Sequence, residues 1–285
     1  MIDPKLSETI EEYTHEKIDR REFLNKLTVL TGSTATAMAL SSLIEKKEAK
    51  ASNISQEDLH TEFIKYPGET GEMIAFLARP KSSNKLPGVI VIHENRGLVP
   101  HIQDVTRRMA REGFVSIAPD ALSPLGGTPE DEDKGRDMIG KLDNDSTVKN
   151  FVAAVQYLKT NPMTTGKVGC TGFCWGGGMT NQVAVNSPDL EAAVPYYGRQ
   201  PNPEDVPRIK AAVLAHYAGE DERINSGIPA FEEALKKADI DYKIYIYEGA
   251  SHAFNNDSNP ERYNKDAAQL AWKRTIDFFK EKLKS

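Results

Sequence analysis

The stretch Lys167-Val-Gly-Cys-Thr-Gly-Phe-Cys-Trp-Gly-Gly-Gly-Met-Thr-Asn-Gln-Val-Ala-Val185 decides how the rest of the chain reads. A strand-like run breaks at Gly172-Phe173-Cys174-Trp175-Gly176, two more glycines follow, and a helix-like pattern begins. Cys174 therefore stands at a strand-to-helix junction, with glycine two positions before it and two after. Such a junction forces its central residue into a strained turn, and small neighbours let strand and helix approach each other. Gly177 and Gly178 extend the same allowance along the helix. The free N–H groups and positive dipole end of that helix point at the sulfur, an arrangement that favours thiolate.

Outward from this junction the chain alternates. Towards the N-terminus, "TEFIKYPGETGEMIAFLARP" (61–80) reads as two strands joined at Pro67-Gly68. "LPGVIVIHENRG" (86–97) has a continuous apolar run that suits a strand buried on both faces. Helical spacing over 101–113, ending at Gly113, precedes a strand in "FVSIAPD" (114–120). The polar stretch 123–145 reads as a loop or lid with a short helix. A helix capped by Ser146 follows, its apolar face formed by Val148, Phe151, Val152, Val155 and Leu158. Beyond the junction come strands at 191–198, 211–221 and 242–252, with helices at 228–240 and 267–284. Strands alternating with helices predict an α/β fold with a mostly parallel central sheet and helices on both faces, the α/β-hydrolase architecture. The domain is expected over 56–285, with residues 1–55 as an N-terminal extension.

In such a sheet, functional groups collect at the C-terminal ends of strands. Three of those ends carry reactive side chains: Cys174, Asp221 in "AHYAGED" and His252 in "YEGASH". Each has an ordinary explanation on its own: a buried small hydrophobe, a turn residue, a loop histidine. Taken together, their order of nucleophile, acid and histidine is that of an α/β-hydrolase triad. On this reading Cys174 attacks a carbonyl, His252 shuttles the proton and Asp221 orients His252. The backbone N–H groups of Trp175 and Asn95 would form an oxyanion hole. Tyr197, at another strand end, is a candidate pocket wall. Cys170 lies inside the strand and reads as structural.

These residues resemble the dienelactone hydrolase family, through "VIVIHENRGL", "GFVSIAPDAL", "GKVGCTGFCWGGG", "AVPYYG" and "YEGASHAF", over about residues 60 to 284. The resemblance implies hydrolysis of a small-molecule lactone or ester by a Cys-His-Asp triad, with no metal or organic cofactor. It also implies that Glu94 helps generate the thiolate when substrate arrives. In the family, arginines hold a substrate carboxylate, one of them four residues after the histidine; here that residue is Asn256. Arg136 and Arg96 are the candidate replacements. Two other readings belong to different classes: a binding protein that keeps the fold without turnover, and a thiol redox sensor with Cys170 as resolving partner.

Composition narrows the classes further. A net charge of −6 with no basic stripe argues against nucleic acid as a partner. Two cysteines four residues apart make neither a disulfide framework nor a paired zinc site. No apolar run is long and pure enough for stable membrane insertion. At the N-terminus, Arg20-Arg21, a weakly apolar Ala/Thr/Ser/Leu stretch and Ala49-Lys50-Ala51 resemble a twin-arginine export signal, which would place the protein in the periplasm. The same residues also read as a helical extension of a cytoplasmic protein. Asp19 and Glu22 have capping-box spacing, and Phe23, Leu24, Leu27 and Leu30 make a stripe.

Overall fold

A computed structural model describes residues 5–6, 9, 20–33, 36–38, 40, 55–82 and 84–284. Contacts divide the chain into two units, Met1–Asn53 and Ile54–Ser285. In the first unit, helix α1 (Arg20–Thr31) buries Phe23 and Leu27, one turn apart, against Ala37. Leu24 and Leu30 stay half-exposed, so the buried face is narrower than the apolar stripe. Asp19 and the Ala49-Lys50-Ala51 motif lie outside the described residues. No described helix is long and apolar enough to cross a membrane.

The second unit is built on eight strands: β1 (Leu59–Gly68), β2 (Gly71–Pro80), β3 (Leu86–Ile92), β4 (Val115–Pro119), β5 (Thr164–Phe173), β6 (Ala192–Tyr196), β7 (Ala212–Ala218) and β8 (Tyr242–Tyr247). They form one sheet in the order β1-β2-β4-β3-β5-β6-β7-β8. β1 and β2 form a hairpin, and β2 also pairs antiparallel with β4; the other neighbours are parallel. Parallel neighbours need crossovers. These carry α2 (Pro100–Arg111), α3 (Glu132–Ile139), α4 (Asn144–Thr160), α5 (Trp175–Asn186), the single turn α6 (Glu222–Asn225) and α7 (Ile228–Lys237), while α8 (Lys265–Lys282) closes the chain.

The apolar run of β3 explains the layering. Val89 and Val91 point to one face and pack with Ile102, Val105 and Met109 of α2 and Ile276 and Phe279 of α8. Ile90 and Ile92 point to the other, against Phe151, Val155 and Leu158 of α4, Val183 of α5 and Leu235 of α7. Burial of that many side chains, each contributing about 1.5–3 kcal/mol, dominates the sheet's stability. The cap of α4 differs from the expectation. Asp143 caps it, accepting from the Ser146 N–H at 2.9 Å, and Ser146 itself is the third helical residue. A carboxylate at this position satisfies an orphan donor and also meets the positive helix end, so it outcompetes a hydroxyl further in.

The strand order reverses at β3, which lies between β4 and β5. Chain leaving β3 and β5 diverges there and opens a crevice at their C-terminal ends, the usual ligand position in open α/β sheets.

Candidate active site

Cys174 follows β5 directly and caps α5 with φ 57° and ψ −115°, left-handed backbone that a side chain adopts only under constraint. Its N–H donates to Tyr196 O on β6 at 3.1 Å, which helps hold the turn. The glycines matter unequally. A Cβ on Gly176 would lie 2.3 Å from His93 O and 2.5 Å from Ile92 O, so α5 could not approach β3 with any larger residue there. A Cβ on Gly178 would meet nothing closer than 3.6 Å, so the expected packing role of Gly178 does not hold.

Strain concentrates at this end of the sheet. Among the described residues four non-glycine residues have positive φ, and three of them are Cys174, Tyr197 and Ala253, next to His252. These residues come from the ends of β5, β6 and β8. Cys174, Trp175, Asn95, Tyr197 and His252 all line one cavity of about 620 Å³. Asp221, buried after β7, hydrogen-bonds His252 Nδ1 through Oδ2. The Tyr197 ring packs against the imidazole with centroids 5.0 Å apart.

The electrostatics reverse one expectation. The Cys174 thiol is pushed up to about 11, first by burial and then by the negative charge of Glu94. The Trp175 N–H bond to the sulfur and the charge of Arg223 oppose this and are outweighed. The helix end does act in the expected direction; desolvation is larger, so the resting form is a neutral thiol. Cys170 is fully buried, and burial raises its thiol to about 12.

Glu94 precedes Asn95 of the cavity lining and does not itself line the cavity. Its carboxylate accepts from Asn256 Nδ2 at 2.7 Å, and burial raises its pKa against the pull of Asn256, Arg262 and Arg96. The backbone of Glu94 is held by His93, a residue that drew no attention in the sequence. His93 is fully buried; its Nε2 accepts from the Ala121 N–H at 3.1 Å, so Nδ1 carries the proton donated to Glu94 O at 2.6 Å. The ring stacks on Trp175 at 5.3 Å between centroids. The "HE" dipeptide after an apolar strand was its only sequence signal.

Neither arginine expected to bind substrate is at the cavity. Arg96 pairs with Asp133 at 3.1 Å and Glu132 at 3.5 Å, and Arg136 pairs with Asp133 at 3.3 Å. The acidic first turn of α3 collects both guanidinium groups, Arg136 from within the same helix. The arginines that do line the cavity are Arg199 and Arg223. Each follows a strand-end residue by two positions, Tyr197 and Asp221 respectively. Among the described residues no group of three or more histidine, cysteine or acidic side chains is placed to hold a metal.

An eight-stranded sheet with this order, its helices on both faces and a strained cysteine at the β5–α5 junction define the α/β-hydrolase fold. Residues 73–283 match the model of the dienelactone hydrolase family, and the chain belongs to that family. A Saccharolobus solfataricus protein named "Putative carboxymethylenebutenolidase" is 32% identical over 255 residues, 76% of this chain and 97% of that one. "Protein usf" of Aquifex pyrophilus is 37% identical over 217 residues, 73% of this chain and 93% of that one. The crystal structure of a Klebsiella pneumoniae "Putative Dienelactone Hydrolase" superposes with a TM-score of 0.71 at 28% identity, covering 78% of this chain and 99% of that one. The protein is a hydrolase of the dienelactone hydrolase type.

Proposed function

We propose that this hydrolase cleaves small esters or lactones by covalent catalysis with Cys174 as nucleophile. The observation that carries the reading is the hydrogen bond from His252 to buried Asp221, on the cavity that also exposes Cys174 in its strained turn. With a thiol raised to about 11, only about one molecule in 10⁴ carries a thiolate at pH 7, so the proton must leave as substrate binds. Glu94 is the acceptor: burial makes its carboxylate more basic, and its charge already acts on the sulfur.

The thiolate then adds to the substrate carbonyl, and the N–H groups of Trp175 and Asn95 hold the oxyanion. Collapse of that adduct breaks the ester C–O bond, and the leaving oxygen takes, through His252, the proton that the thiol gave to Glu94. Water, deprotonated by His252, adds to the thioester; collapse releases the acid and expels the thiolate, which takes that proton back from His252. Asp221 keeps the imidazole in the tautomer that both steps need.

A panel of aryl esters and small lactones assayed with the wild type, Cys174→Ala, His252→Ala and Asp221→Asn tests this. Cys174→Ala and His252→Ala should lose at least about 10³-fold in kcat, and Asp221→Asn about 10²–10⁴-fold with little change in KM. A Cys174→Ala variant with near wild-type turnover would refute the assignment.

A further inference from the structure

The fully buried imidazole of His93 is saturated by two backbone bonds and takes no part in the chemistry described above. Its Nδ1–H donates to Glu94 O at 2.6 Å, and its Nε2 accepts from the Ala121 N–H at 3.1 Å. The Glu94 carbonyl belongs to the peptide unit whose other end is the Asn95 N–H. A trans peptide is planar, and its C=O and N–H point in opposite directions. A bond that fixes the Glu94 carbonyl therefore also fixes the direction of the Asn95 N–H, and Asn95 lines the cavity with Cys174.

The same residue reaches the other expected oxyanion donor. Its ring stacks on Trp175 with centroids 5.3 Å and planes 15° apart, and Phe151 meets the indole edge-on at 6.2 Å. The N–H of Trp175 already bonds the Cys174 sulfur. Gly176, the next residue, is so close that a Cβ on it would lie 2.3 Å from His93 O.

Beyond Asn95 the loop is anchored a second time. The Leu98 N–H donates to Thr128 Oγ1 at 2.8 Å, and that hydroxyl donates to Asp120 Oδ1 at 2.8 Å. Asp120 Oδ2 accepts from the Thr128 N–H at 2.7 Å. Gly97 allows the close approach: its φ is 91°, and a Cβ there would lie 2.3 Å from Thr128 Oγ1. Asp120 and Ala121 are consecutive after β4, so Asn95 is strung between two anchors on one segment.

We propose that His93 is a positioning residue for the oxyanion hole: it fixes the plane of the Glu94–Asn95 peptide, so that the Asn95 N–H is aimed together with the N–H of the Trp175 on which the ring is stacked. The inference rests on the reading of Asn95 and Trp175 as donors to a carbonyl attacked by Cys174. Donors held in place beforehand need no reorganisation as charge develops, and losing one costs about 10²–10³ in kcat.

The test uses His93→Phe, which keeps a ring against Trp175 and removes both backbone bonds, and His93→Gln, whose amide retains a donor and an acceptor. Turnover of an aryl ester is compared with that of its thionoester, whose sulfur is a poor hydrogen-bond acceptor. Alkylation of Cys174 by iodoacetamide, which develops no oxyanion, is the control. His93→Phe should lose about 10²-fold in kcat on the ester with KM nearly unchanged, and its preference for ester over thionoester should fall by a similar factor. Alkylation at about pH 8 should stay within about threefold of the wild type. His93→Gln should fall between the two in the same selective way, and the same readouts on it decide the matter if the phenylalanine variant does not fold. A folded variant with wild-type kcat and ester preference would overturn the proposal. So would one that loses ester turnover, thionoester turnover and alkylation to the same extent, the result of a merely structural role. The ester-to-thionoester ratio reports the donors whichever group attacks. A ratio that falls in the His93 variants while Cys174→Ala stays active would overturn the nucleophile and leave the positioning role standing.

Discussion

Alkylation of Cys174 by iodoacetamide follows its thiolate, so the rate reads the pKa directly. With the thiol at about 11, roughly 10⁻³ of the protein is thiolate at about pH 8, against about a quarter for a free thiol near 8.5. Cys174 should therefore react roughly two hundredfold more slowly than glutathione at that pH, its rate still rising tenfold per pH unit up to about 10. Burial is the larger cause and Glu94 the second, so Glu94→Gln removes only the second. A like charge at this range is worth roughly one pH unit, and the variant should alkylate about tenfold faster at about pH 8. Mass spectrometry of the labelled peptide separates Cys174 from Cys170, whose burial and pKa near 12 keep it silent, and Cys174→Ala supplies the blank. A midpoint at or below 8.5 would refute the account of a neutral resting thiol. An unchanged rate in Glu94→Gln would remove the carboxylate from the argument.

Two glycines of α5 separate close packing from helix propensity. Gly176→Ala drives a methyl group into two backbone carbonyls and should cost about 3 kcal/mol or prevent folding, whereas Gly178→Ala meets open contacts and should stabilise by up to about 1 kcal/mol; urea unfolding of both decides it. His216 is fully buried between Tyr247 and Thr275, and burial lowers its pKa to about 3. A depressed pKa contributes stability that is present above about pH 6.5 and is lost as pH falls towards 3. The wild type should thus lose about 2–3 kcal/mol from this group between about pH 7 and 4.5, and His216→Gln should show a correspondingly shallower loss.

Local signals carried much of the architecture. Continuous apolar runs, glycine stops and the spacing around Cys174 are properties of a few adjacent residues, and they located the strands, the helices and the strained turn without a partner in view. The three strand-end residues could be placed for the same reason, because parallel strands deliver their C-terminal ends to one edge of the sheet. Tertiary structure decided the rest. Only the order β4-β3-β5 brings the segment after Ile92 beside the junction after Phe173, and only the fold brings Asn256 to Glu94 across 162 residues. The direction of the Cys174 shift depends on how much water the surrounding elements exclude, which no local pattern encodes, and it ran against the helix dipole. The arginines were settled by competition. The acidic turn of α3 took Arg96 and Arg136, while Arg199 and Arg223 line the cavity.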